Sequence, residues 1–310
     1  MSAYGALSDD AVGGKPLVVA LAACHQGQTK AGVDSGWIAL AGDVNLSGAT
    51  FVDFRDQRKF GNPIKGAMIL SRNIGCALDK AAKAANADDV PLLCLGGDHT
   101  VSVGTVAATK WRHPTTRLIW IDAHPDINTP DTTMSGNCHG MPVAHLMNLV
   151  DGFQLPACIE PHEILYIGLR SIDDAELVRL EAIRQAGGFV YYADEILERG
   201  MDAILADVDS KWGSPSATAF DFPLHISLDV DSMDPKFAPA TGTPVPDGLT
   251  PQQVATVLQW ANSRAYRGLC HLDIVELNPD LSTARGAATT IATTQVLLSA
   301  WIQSHARLRP

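Results

Sequence analysis

WIDAHPDINTPDTTMSGNCHG, residues 120–140, is the stretch on which the reading of this chain turns. Its lead-in, Leu118-Ile119-Trp120-Ile121, is short and apolar, as a buried strand is. Asp122, His124 and Asp126 then follow at alternate positions. In extended backbone, residues two apart share a face, so D-x-H-x-D at a strand end aims two carboxylates and an imidazole at one point. Bringing them together is costly unless a divalent cation offsets their repulsion. A solvated strand-to-helix loop can carry the same triplet, so the motif needs support from the rest of the chain.

The polar residues at the ends of the other apolar segments supply that support. Residues 16–24, 91–95, 164–167, 189–192, 224–228 and 268–275 also read as buried strands, and helical spacing runs over 66–88, 174–186, 251–263 and 287–304. Short apolar strands alternating with helices predict a parallel sheet covered on both faces. His99, Asp122, Asp229 and Glu276 each stand at the carboxyl end of such a strand, the edge where open α/β sheets carry their sites. Asp229-Val230-Asp231 repeats the period-two device of the central stretch. Residues 25–36, HQGQTKAGVDSG, hold three glycines, which suits backbone turning sharply or approaching a site. Residues 1–14 read as a loose polar arm and residues 15–310 as one catalytic domain.

Composition narrows the classes. The 310 residues are 46% hydrophobic, ordinary for a globular protein with a full core. A formal charge of −11 argues against nucleic-acid partners and anionic membranes. The six cysteines are scattered, and Cys24, Cys94 and Cys270 lie in apolar runs, which fits a reducing compartment better than a disulfide framework. No apolar run reaches the roughly 18 residues of a membrane helix. Pro16–Cys24 comes after Asp9 and Asp10 and reads as a first strand rather than a lipoprotein signal. Nothing resembles a mitochondrial leader, so the expected compartment is the cytoplasm.

The candidate ligands are then His99, Asp122, His124, Asp126, Asp229 and Asp231. Four clustered carboxylates call for two dications, which together acidify a water between them. A mostly oxygen set with one imidazole per metal favours Mn2+ over thiolate-preferring ions.

Six segments carry a family resemblance: GGDHT at 96–100, DAHPDINTP at 122–130, SGNCHG at 135–140, SLDVDSMDP at 227–235, ATGTPVPDGLT at 240–250 and DIVELNP at 273–279. In these the chain resembles the ureohydrolases, and within them most closely the arginases, from about Val18 to Ala300. The resemblance implies a three-layer α/β/α fold of the arginase/deacetylase kind, with a central, mainly parallel sheet of about eight strands. It implies two Mn2+ per chain and hydrolysis of L-arginine to L-ornithine and urea by a metal-bridging hydroxide. One metal would take His99 and Asp126, the other His124 and Asp231, with Asp122 and Asp229 shared. Asp126 would also accept a hydrogen bond from the hydroxide, Glu276 would pair with the substrate guanidinium, and His139 would shuttle the proton. Asn128, Ser135 and Asn137 would receive an α-carboxylate, and Asp173, with Glu176 nearby, an α-ammonium. Thr241 and Thr243 either line the cleft or serve as turn residues. The family pattern also implies a homo-oligomer, trimer or hexamer, with a small guanidino compound as partner.

Two positions depart from the arginase pattern. Ser171 stands where arginases commonly place the first Asp of a D-x-D, and Thr250-Pro251-Gln252-Gln253 replaces an Arg-Glu pair used between subunits. Agmatine or a guanidino acid is therefore the alternative substrate. A binding-only relative would have lost ligands, and a binuclear phosphoesterase would have an Arg or Lys cluster near the motifs; neither holds in this sequence.

Overall fold

The computed structural model describes residues 16–42, 46, 48–54, 61–214 and 217–307. The expected N-terminal arm, 1–14, lies outside them. The first half of the chain runs β1 (Val18–Ala22), α1 (Gly36–Ala41), β2 (Thr50–Asp53), α2 (Pro63–Ala84), β3 (Leu92–Gly96), α3 (Val101–Arg112), β4 (Arg117–Ile121) and α4 (Pro142–Leu146). The second half runs β5 (Ile164–Leu169), α5 (Asp174–Gln185), β6 (Phe189–Tyr192), α6 (Ala193–Arg199), α7 (Met201–Trp212), β7 (Leu224–Asp229), α8 (Pro251–Arg264), β8 (Cys270–Val275) and α9 (Ala284–Arg307). The eight strands form one sheet in the order β2-β1-β3-β8-β7-β4-β5-β6, and every pairing is parallel. The fold is the expected three-layer α/β/α.

The central strands are buried along their whole length, which is why they read as unbroken apolar runs rather than alternating ones. Alternation decides which layer each side chain joins. Leu93, Ile119 and Leu165 face α8 and α9, where Leu258 and Trp301 close the core. Leu92 turns the other way onto Leu70 and Ile74 of α2, and Leu118 and Trp120 turn onto Val106 of α3 and Leu180 of α5. The helix expected over 66–88 starts three residues earlier, at Pro63. Asn62 caps it by accepting the Lys65 N–H at 3.0 Å, and proline suits the first helical turn.

The strand order matters most for function. The chain lays down β3 and β4 in succession, then returns late to insert β7 and β8 between them. Strands β3, β8, β7 and β4 are therefore contiguous, and each ends in one of the polar segments that hold His99, Glu276, Asp229 and Asp122. Adjacent strands lie about 4.8 Å apart, so the four ends span about 14 Å.

Candidate metal centre

The two D-x-[H/D] segments are built alike. Asp122 Oδ1 accepts the His124 N–H at 2.7 Å, and Asp229 Oδ1 accepts the Asp231 N–H at 2.7 Å. A side chain bonded to the backbone two residues on makes a tight turn at the strand end. It leaves Oδ2 of each aspartate directed at the same space. His99 Nδ1 lies 3.1 Å from Asp122 Oδ2, 3.1 Å from Asp126 Oδ2 and 3.3 Å from Asp229 Oδ2. His124 Nδ1 lies 3.4 Å from Asp122 Oδ1 and 3.2 Å from Asp231 Oδ2. Two groups able to hold a metal ion result, His99-Asp122-Asp126 and Asp122-His124-Asp231, each with one ligand atom per residue inside 4.8 Å. Asp122 belongs to both. Asp229 adjoins the first group through Oδ2, while its Oδ1 is taken by the Asp231 backbone.

The donor set fits a pair of dications. His99 Nδ1 and Asp122 Oδ2 are buried and close, yet neither forms a directed hydrogen bond. Their lone pairs converge on common space rather than on each other. The opposite ring nitrogen, His99 Nε2, meets Ser227 Oγ at 2.8 Å, and the ring stacks on Trp120 at 4.0 Å and 6°. Nδ1 is thus the nitrogen left for a metal.

Left to itself, the cluster must manage its charge with protons. Burial pushes the Asp126 carboxyl up to about 6, helped by Asp122, and holds Asp229 well above the usual range, helped by Asp231 and Asp122. Burial works against charge on His124, but Asp231 and Asp122 override it and hold the imidazole at about 12. His99 is likewise raised against burial by Asp122, Asp126 and Asp229. For Asp122 burial is outweighed by the two imidazoles, and its carboxyl stays below the usual range.

Two residues here adopt left-handed backbone that β-carbons disfavour, Asp126 at φ 49° and Glu276 at φ 63°. Such conformations cost about 1–3 kcal/mol each and persist only where neighbours enforce them. The Asp126 carbonyl accepts the Val143 N–H at 3.0 Å, and the Glu276 N–H donates to Gly97 O at 2.9 Å.

Glu276 sits behind the cleft. It is 1% exposed, and both oxygens hold protein donors. Oε1 accepts the His99 N–H at 2.8 Å and faces His139 Nδ1 at 3.1 Å, and Oε2 accepts Gln28 Nε2 at 2.6 Å. Glu276 thus pairs with His139 through Oε1, and Oε2, with one donor on it, keeps a further lone pair. Burial lowers the His139 pKa, but Glu276 prevails and sets it at about 9. The segment 25–36 approaches the site as its glycines suggest. A β-carbon on Gly27 would lie 2.1 Å from Thr100 Oγ1 and 2.5 Å from Asp98 Oδ1. The Gly27 N–H donates to Asp98 at 2.8 Å, and its carbonyl accepts the His139 N–H at 3.0 Å.

The centre opens into a cleft of about 280 Å³, suited to a small molecule. His124, Asp126, Asp229 and His139 line its inner end, and Asn128, Ser135, Ser171 and Asp173 its outer end. Asn137 is not among the lining residues; its N–H donates to Ser135 Oγ at 3.2 Å. Glu176 lines the cleft but is 4% exposed, with its oxygens accepting the Asp173 N–H at 3.0 Å and the Ile127 N–H at 3.2 Å. Burial raises its carboxyl to about 7. Thr243 donates to Asp231 Oδ2 at 2.8 Å and steadies that ligand, whereas Thr241 is buried beside Leu277. Ser227, Gln28 and Met134 were not legible as site residues. Only the glycines around Gln28 hinted at its place.

The comparisons agree with this geometry. The arginase family matches residues 21–302. A protein named arginase-2, mitochondrial, from Rattus norvegicus is 34% identical over 294 residues, 87% of this chain and 80% of its own length. Arginase-1 of the same species is 32% identical over 305 residues, covering 92% and 91%. The crystal structure of arginase from Bacillus subtilis superposes with a TM-score of 0.74 at 27% identity, covering 93% of this chain and 98% of that one. By sequence, sheet order and the paired acid–imidazole groups, the chain belongs to the arginase family of ureohydrolases.

Proposed function

We propose that the protein hydrolyses the guanidino group of L-arginine to L-ornithine and urea, with two Mn2+ per chain. The observation that carries this reading is one cleft with two unlike ends. The inner end gathers two acid–imidazole groups sharing Asp122, and the outer end presents Asn128, Ser135 and Asp173.

His99 and Asp126 would hold one ion and His124 and Asp231 the other, with Asp122 and Asp229 shared. Bound there, the pair supplies a water acidified enough to act as a nucleophile near neutral pH. The chain does the rest. Asp126, at the cleft floor, would accept a hydrogen bond from that water. His139 is held protonated near neutral pH by Glu276. Its Nδ1 faces Glu276, which leaves Nε2 to give a proton to the departing amine. Asn128 and Ser135 receive the α-carboxylate, and Asp173 the α-ammonium. Burial of the inner end excludes bulk water and strengthens the contacts made there.

Urea release from a panel of L-arginine, agmatine and guanidino acids, with Mn2+ present, tests the assignment. Highest kcat/KM for L-arginine is expected. Preference for a guanidino compound without an α-carboxylate would overturn it.

A further inference from the structure

Helix α5 grips the loop that forms the outer wall of the cleft. Three residues on successive turns do this. Asp173 Oδ2 accepts Asn128 Nδ2 at 2.9 Å, Glu176 Oε1 accepts the Ile127 N–H, and Arg179 Nη1 donates to Ile127 O at 3.0 Å. Both backbone polar groups of Ile127 are thus held by one helix. Arg179 also donates from Nη1 to Thr132 Oγ1 at 3.2 Å and from Nη2 to Thr129 Oγ1 at 3.3 Å.

The Thr132 hydroxyl is the informative atom. A hydroxyl has two lone pairs and one hydrogen. Its lone pairs are engaged by the Arg179 guanidinium and by the Thr129 N–H at 2.9 Å. Its hydrogen goes to Asn128 Oδ1 at 2.9 Å, the nearest acceptor, with Thr129 Oγ1 at 3.3 Å and Thr129 O at 3.4 Å farther off. Thr132, saturated as an acceptor, and the Asp173 carboxylate, which can only accept, together require the Asn128 atom facing Thr132 to be oxygen. The amide nitrogen then faces Asp173, and one Nδ2 hydrogen remains for the cleft that Asn128 lines.

We propose that Arg179 is a specificity-determining positioning residue: acting through Thr132, it orients the Asn128 amide so that the outer cleft presents a hydrogen-bond donor. The ligand end met there must be an acceptor, such as a carboxylate. A terminal ammonium or amine gains nothing from it. The proposal leans on the hydrolase reading only for the choice of probes.

The test compares L-ornithine with putrescine, its counterpart lacking the carboxylate, by calorimetric binding to the Mn-loaded full chain. In Arg179→Met and in Thr132→Val, the Kd for L-ornithine is expected to rise about tenfold, the scale of one lost oriented hydrogen bond. Putrescine binding should change less than about twofold. Arg179→Lys, which keeps a donor, should recover most of the L-ornithine affinity. Hydrogen exchange of the segment 127–136 should quicken in Arg179→Met while that of β4 stays unchanged. Equal weakening of both ligands, or unaltered exchange in the loop, overturns the proposal. Thr132→Val removes a single hydroxyl and carries the test if Arg179→Met does not fold. Absence of L-ornithine binding in the unaltered protein counts against the hydrolase reading, and loop exchange then decides the role of Arg179 by itself.

Discussion

The two ends of the cleft are positioned by different physics. At the inner end, backbone does the work. His99, Asp122 and Asp231 are fully buried and sit at or just beyond the ends of neighbouring strands, so the register of β3, β8, β7 and β4 places them within a few ångströms. At the outer end, Ser135 and Asp173 are exposed, Met134 is 91% exposed, and no ladder runs through the loop. There the wall is held by side chains reaching across from α5. On the proposed reading, chemistry is anchored in the sheet, while selection among ligands rests on a loop and one helix face. The inner end should tolerate almost no change, and the outer end should yield graded effects.

Removing a ligand is the strongest way to break that contrast. His99→Ala should drop Mn content from two ions to one and cut turnover by about 10³-fold, several kcal/mol of lost transition-state stabilisation. Metal analysis of the purified variant checks it, and retention of two ions would remove His99 from the ligand set.

Next in size is His139→Asn, which should lower kcat by about 10²-fold, typical for a lost proton donor, with both ions retained. As the proposed acid, held at about 9 by Glu276, His139 should make wild-type turnover fall as pH rises through that value. The variant should lack this limb, and an unchanged pH profile would take the shuttle role away.

Metal uptake offers a smaller, continuous measure. In the cation-free protein His99 and His124 bind protons more tightly than usual, so uptake has to expel them. Mn2+ affinity should rise with pH by about tenfold per unit for each proton displaced. Titrations in buffers of different ionisation enthalpy count the protons, and a count of zero would mean that ligation leaves the imidazoles protonated.

At the outer end Asp173→Ala should raise KM for L-arginine about tenfold, the scale of one charged hydrogen bond, and that for agmatine much less. Equal effects on both would mean that Asp173 does not meet the α-ammonium. They would also erase the difference between the two ends.

The same contrast explains what could be read from the sequence. Seven of the eight strands announced themselves as apolar runs, because both faces of the sheet are covered. The missing one, β2 at Thr50–Asp53, is a four-residue edge strand with only Val52 buried, so it offers no run to detect. Helix α3 was also passed over. It is buried on nearly all sides, so its residues show no amphipathic stripe. Asp122, His124, Asp229 and Asp231 were legible because strand periodicity dictates their direction. The pairing of Gln28 with Glu276 spans 248 positions and has no periodic signature. Arg179 reads as one more charge on a helix face until the fold brings Ile127 beneath it.

The left-handed backbone at Asp126 and Glu276 has a consequence for engineering. At both positions glycine would relax the main chain, and asparagine would tolerate the angle better than most residues. Either change deletes a carboxylate that the site uses. Variants chosen only for resistance to heat would be drawn toward these substitutions, gaining about 1 kcal/mol while losing the centre. A stability library built on this chain should therefore hold both positions constant and seek its gains on the surfaces of α2 and α9.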